Sequence, residues 1–163
     1  MFTLRLPILI SSLILTLTCT ISSAPALAQV KEQGASQFDA EYAKRLGADE
    51  MGMRNYVLVI LKTGPNKIAA GKERDDMFAG HFANMKRLAS EGKLVLAGPL
   101  DGVDGWRGLF VFLAKEISDA KAWTETDPVI VKGAMVAEYH KWYGSAAVLE
   151  VNQIHSKIAQ KGF

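Results

Sequence analysis

The apolar positions of this chain fall into runs of different period, and the changes of period mark its predicted elements. In "NYVLVILKTG", residues 55 to 64, Tyr, Val, Leu and Ile follow one another up to Gly64-Pro65. That reads as a strand closed by a breaker. Over residues 74 to 91 the period lengthens. Phe78, His81, Phe82, Met85, Leu88 and Ala89 share one face of a helix that Gly92 ends. "KLVLAG" is a second strand, broken at Gly98-Pro99, and "DGVDG" is turn chemistry leading into "WRGLFVFLA", a third strand over residues 106 to 114. Ser118 is expected to cap a helix over 119 to 126. Asp127-Pro128 interrupts it, because proline disfavours the α conformation before it and suits a helix start. After Lys132-Gly133, "AMVAEYHKWYG" is the fourth strand.

The resulting order, β-α-β-β-α-β, predicts an α+β, ferredoxin-like antiparallel sheet with two helices on one face. Strands one and three are the central pair in that topology. Residues 56 to 61 and 109 to 113 are apolar on both alternating sets, whereas the fourth strand carries Glu138, His140 and Lys141. Two helices cover one face of a sheet. The other face then needs either a second copy of the chain, giving a homodimer, or the flanking segments of the same chain. Two such segments are predicted. Ser36 caps a docking helix over 36 to 46 with Phe38, Tyr42 and Leu46 in line. Residues 146 to 160 form an amphipathic helix with Ala147, Val151, Ile154 and Ile158 on one side.

Before residue 29 the pattern is of another kind. Arg5 precedes an apolar and hydroxylated run from residue 6 to 21, and "SSAPALAQV" places Ala26 and Ala28 as an A-x-A cleavage site. This reads as a secretory signal peptide over residues 1 to 28, its apolar run short for a membrane span, with the remainder periplasmic or secreted and free of the membrane; the alternatives are an uncleaved membrane anchor and lipoprotein processing at Cys19, whose preceding residues match a lipobox poorly. Residues 29 to 53 are then an N-terminal extension, 54 to 145 the domain and 146 to 163 the C-terminal helix. Cys19, the single cysteine, leaves with the leader, so no disulfide, thiolate nucleophile or cysteine-bound metal is expected. The chain of 163 residues has 19 basic and 17 acidic side chains and no basic stripe, which gives no reason to expect nucleic acid as a partner. Gly71-Lys72 does not close a phosphate loop, because Asn66 and Glu73 stand where Gly and Ser or Thr are needed.

Taken together, "YVLVILKTGP", "HFANMKRLASEGKLVLAGPL", "RGLFVF" and "TDPVIVKGAMVAEYHKWYG" resemble the YCII (YciI-like) family over about residues 54 to 145. The resemblance implies a dimeric α+β barrel joined through its sheets. It also implies a site in a pocket beside the sheet, where a histidine, here His81, pairs with an aspartate, here Asp127. One branch of the family is a dehydrochlorinase acting on a chlorinated trihydroxybenzene. The leader and flanking helices depart from the small cytosolic pattern, so no cytosolic substrate is carried over.

His81 stands where an amphipathic helix would place a leucine, toward the edge of the apolar stripe. A carboxylate on one imidazole nitrogen fixes the tautomer and leaves the other free as a base or acid, without metal, cofactor or thiol. The bland alternatives are a satisfied structural histidine and, for Asp127, a helix cap. Glu138 and His140 share one face of the fourth strand and could line a pocket or bind a metal, although no local ligand spacing supports a metal. Trp106 and Arg107 could anchor an aromatic or anionic ligand, and His155 is expected to be solvated. Three functions remain open: a small lyase-like or hydrolase-like acid/base enzyme acting on an unknown small molecule, a non-catalytic module that binds or senses such a molecule in the same pocket, and a structural partner docked through the flanking helices.

Overall fold

The computed structural model describes residues 38–161. The expected signal peptide, its cleavage site after Ala28 and the expected cap at Ser36 lie outside the described residues. The elements run α1 (Ala40–Leu46), β1 (Met53–Thr63), α2 (Lys72–Ser90), β2 (Leu94–Pro99), β3 (Trp106–Phe112), α3 (Ile117–Thr124), α4 (Pro128–Val131), β4 (Met135–Ser145) and α5 (Val151–Ile158), with a 3₁₀ turn over Ala146–Glu150 before α5. The four strands form one antiparallel sheet in the order β2-β3-β1-β4. This is the ferredoxin-like α+β arrangement, with β1 and β3 central.

Register explains the two-sided greasiness of β1. Val57 lies opposite Phe112 and Val59 opposite Phe110. These four side chains, with Leu61, face the helices and pack on Met85 and Leu88. Each such burial contributes roughly 1.5–3 kcal/mol relative to exposure. The intervening residues face the other way. Tyr56 lies opposite Trp142, and a β-bulge in β2 turns both Val95 and Leu96 to this second face beside Val111.

Part of that second face is covered from within the chain. Val148 and Leu149, in the 3₁₀ turn, pack against the Tyr56, Val95 and Val111 cluster. The expected continuous helix over 146 to 160 is therefore a 3₁₀ turn followed by a short α-helix, and its expected apolar side is not the packed one. Ile154 and Ile158 are 54% and 72% exposed. Three residues per turn in the first segment shift the phase, so that 148 and 149 point inward in place of 147 and 151. Asn152 ties α5 to the sheet edge by donating from Nδ2 to the Leu94 carbonyl at 2.8 Å. At the other end α1 begins after Asp39, whose side chain accepts from the Tyr42 amide, and Gly47 closes it in the left-handed conformation. Of its expected docking stripe only Leu46 is buried, while Phe38 is 77% exposed.

The buried face of α2 is also rotated from the expected stripe. Met77, His81, Asn84, Met85 and Leu88 are buried, whereas Phe82 is 45% exposed. The helix packs on α4 as well as on the sheet, so its inward face is broadened on the Gly80–Asn84 side. His81 consequently sits in the middle of the buried face and not at its edge. The next helix starts two residues earlier than expected. Glu116 and Asp119 form a capping box at the start of α3, in place of a Ser118 cap.

Candidate functional site at the junction of two helices and the sheet

The site begins with a missing side chain. A Cβ on Gly80 would lie 2.9 Å from Cγ of Pro128, so glycine in the middle of α2 is what lets α4 approach. Pro128 opens α4 and Asp127 is its N-cap, with Oδ1 accepting from the Val129 amide at 3.1 Å. One residue after Gly80, the imidazole of His81 meets that cap. Its Nδ1 lies 2.8 Å from Oδ2 and 3.0 Å from Oδ1 of Asp127. A carboxylate only accepts, so Nδ1 carries a proton, and in the neutral imidazole the lone pair is on Nε2.

Asp127 is fully buried, and a buried carboxylate needs several donors to be tolerable. Besides His81 and the Val129 amide it faces Asn84, whose Nδ2 lies 3.4 Å from Oδ2. The Asn84 amide is oriented from behind. Its Oδ1 accepts from Arg87 at 2.7 Å and from Thr126 at 3.1 Å, which turns the NH₂ end toward the carboxylate. Asn84, Arg87 and Thr126 were not singled out from the sequence. The available signal was Asn84 itself, a polar residue three positions after His81 and so on the same helix face.

On its other side His81 borders a cavity of about 300 Å³. Three rings surround the imidazole. Phe110 lies nearly parallel at 6.0 Å between centroids, Phe82 is tilted at 5.4 Å, and Phe78 presents an edge at 6.2 Å. Met85, Leu61 and Met135 complete the apolar wall, and Arg107 stands with Gly108 at the strand end. His81 Nε2 makes no hydrogen bond among the described residues. Arg54 Nε, elsewhere in the fold, is the one sealed side-chain polar atom there without a partner. The imidazole thus has one nitrogen tied to a buried carboxylate and one open toward a small, largely apolar chamber, an arrangement suited to proton transfer.

The remaining sequence candidates are elsewhere. Glu138 and His140 lie on the opposite face of the sheet, with His140 Nε2 at 2.7 Å from Glu138 Oε1 and Lys62 donating to Oε2 at 3.1 Å. Those two hydrogen bonds, Lys62 first, hold the Glu138 carboxyl below its usual range. Among the described residues no three His, Cys, Asp or Glu side chains gather as a metal-binding group. Trp106 is partly exposed and does not border the chamber, whereas its neighbour Arg107 does. His155 borders a separate cleft of about 100 Å³ between α5 and β2.

A family model, the YCII-related domain, matches residues 55–142, a span that contains His81 and Asp127. No curated protein matches the chain. Solved structures similar to it include the 5-chloro-2-hydroxyhydroquinone dehydrochlorinase of Burkholderia phenoliruptrix AC1100 in complex with 2,5-dihydroxybenzoquinone. That structure is 21% identical over 53% of this chain and 92% of its own, with a TM-score of 0.41.

Proposed function

The chain belongs to the YCII-related domain family, and from that premise we propose that it is a small enzyme in which His81 performs general acid/base chemistry on a small molecule held in the aromatic chamber. One observation carries the reading: a buried Asp127 carboxylate holds Nδ1 of His81 at 2.8 Å while the same ring borders a 300 Å³ cavity. Nε2 takes a proton from an acidic O–H or C–H of the bound molecule. The resulting imidazolium is stabilised by the adjacent carboxylate, and the proton then goes to a second atom or to a departing group. A positioned acid/base of this kind contributes typically ~10²–10⁴-fold to a rate.

The test is solvent-proton exchange. Polyhydroxylated aromatics and enolisable ketones are incubated with the protein in D₂O, and deuterium uptake at carbon is followed by NMR. Uptake by at least one compound is expected, falling at least ~10²-fold in His81→Ala at unchanged folding. Equal uptake in the wild type and in His81→Ala removes the catalytic role. Tight binding without exchange by any compound assigns the chamber to binding or sensing.

Two further properties belong to the same proposal. The chain is exported, with the mature protein beginning at Gln29. Intact mass of the secreted or periplasmic protein tests this, and a retained leader contradicts it. It also forms a homodimer through the part of the second sheet face that Val148 and Leu149 leave open, around Leu58, Leu109 and Val136, where Val136 is 44% exposed. Light scattering at micromolar concentration is expected to give twice the protomer mass. A monomer would mean that the terminal segment is cover enough.

A further inference from the structure

The chamber does not end at Arg107. A second cavity of about 260 Å³ adjoins it, and the two share Phe78, Arg107 and Met135 in their walls. Together they form one elongated site with two unlike ends. The inner end is the aromatic chamber beside His81. The outer end carries Arg107, Arg74 and Lys67, with Asn66 and Thr63 as the uncharged polar groups. Among the described residues no aspartate or glutamate borders either cavity.

The three cations have no carboxylate partner among the described residues, whereas several lysines and arginines elsewhere do. Lys62, Lys72, Arg87, Lys93, Lys121 and Lys132 each pair with an acidic side chain. Arg74 is instead laid over the Phe78 ring, 5.6 Å from its centroid, which places its charge at the seam between the two cavities. Three positive charges converging on one pocket mouth with no counter-charge form an anion-attracting end. A guanidinium fork matches a carboxylate through two parallel hydrogen bonds.

We propose that the site takes aromatic carboxylates, with the ring in the His81 chamber and the carboxylate at Arg107, supported by Arg74 and Lys67. This assignment rests on the proposed use of the His81 chamber for a small molecule, but not on turnover there. The arrangement does two things at once. Arg107 anchors the substrate at the end remote from the proton transfer, and the anchor fixes which ring atom faces Nε2.

The test compares 2-naphthoate with its neutral isostere 2-naphthamide by titration calorimetry at low salt. The wild type is expected to bind the carboxylate roughly tenfold or more tightly, a preference that shrinks as salt is added. Arg107→Met should remove most of the preference, with naphthoate affinity falling far more than naphthamide affinity, and circular dichroism should show the variant folded. Arg107→Met combined with Arg74→Met should abolish it. Lys86→Met, a change on the exposed side of α2, should leave it intact. His81→Ala should weaken both compounds similarly and keep their ratio. Equal affinity for the two compounds in the wild type, binding of neither, or a preference that survives the double arginine variant overturns the proposal. Failure of catalysis is separable: a preserved carboxylate preference in a protein that exchanges no proton overturns the enzymatic reading alone.

Discussion

Asp127 holds two structures at once, and its substitutions separate them. In Asp127→Ala the α4 cap is lost, which costs about 0.5–2 kcal/mol. The buried Nδ1–H of His81 is left without an acceptor, which costs about 1–3 kcal/mol more. The sum is roughly 1.5–5 kcal/mol, large for one side chain in a small domain. Asp127→Asn differs in kind. Its amide oxygen can keep the bond from the Val129 amide, now 3.1 Å from Oδ1, and asparagine caps helices about as well as aspartate. Its NH₂ group then falls where Oδ2 now lies, 2.8 Å from Nδ1. A donor at this shorter contact outweighs the longer 3.0 Å contact to the retained oxygen and favours a lone pair on Nδ1, so the proton moves to Nε2 and the chamber faces a donor instead of a base. Asp127→Asn should therefore cost no more than about 2 kcal/mol, the charge assistance of one hydrogen bond less the relief of burying a charge, while abolishing proton exchange. Urea denaturation gives both stabilities, and two-bond ¹H–¹⁵N spectra give the tautomer. The reasoning is refuted if Asp127→Ala costs less than about 1 kcal/mol, or if Asp127→Asn keeps both the Nδ1–H tautomer and full activity.

Other outcomes follow from the same packing. Gly80→Ala would ordinarily stabilise a helix by roughly 0.8–1 kcal/mol, but the contact with Pro128 should reverse the sign through about 1–3 kcal/mol of overpacking and loosen the His81–Asp127 bond; a more stable and equally active variant in urea denaturation would contradict this. Burial holds the phenols of Tyr56 and Tyr139 above their ordinary value of 10.0. Their contribution to stability is thus complete below about pH 10 and is lost as pH rises beyond it, so thermal unfolding scans should show Tm falling above that point and less steeply in Tyr56→Phe. Leu149→Ala should cost about 1–3 kcal/mol, because Leu149 covers Tyr56 and Val111, whereas Phe38→Ala should change stability by less than about 0.5 kcal/mol in chemical denaturation.

The order of strands and helices was legible because each element carries its own period and its own breaker. Gly64-Pro65, Gly92, Gly98-Pro99 and Gly133 delimit segments whose apolar spacing is unambiguous. The phase of a helix is harder to read. In α2 the face that packs is chosen by two neighbours at once, and Gly80 is silent until Pro128 is seen against it. A single-stripe reading therefore kept Phe82 inside and His81 at the edge. The terminal helices misled for a related reason. Phe38, Ile154 and Ile158 have helical spacing, but spacing alone does not say whether a partner surface faces them. His81 and Asp127 could be named through the family resemblance. The residues that orient them could not, since Asn84 and Thr126 are ordinary helix and turn residues until the carboxylate they serve is placed in space.

The central claim is that Nε2 of His81 is the free base of the aromatic chamber, with its proton partner held by Asp127 on the other nitrogen. The most direct measurement is the pair of His81 ¹⁵N resonances in histidine-labelled protein, recorded without and with saturating catechol. The account expects Nδ1 protonated and Nε2 bare in the free protein, and on addition of catechol a large shift at Nε2 with Nδ1 nearly still. A proton found on Nε2 at the start, or an Nε2 resonance that catechol does not move while it shifts those of His140 or His155, would contradict it.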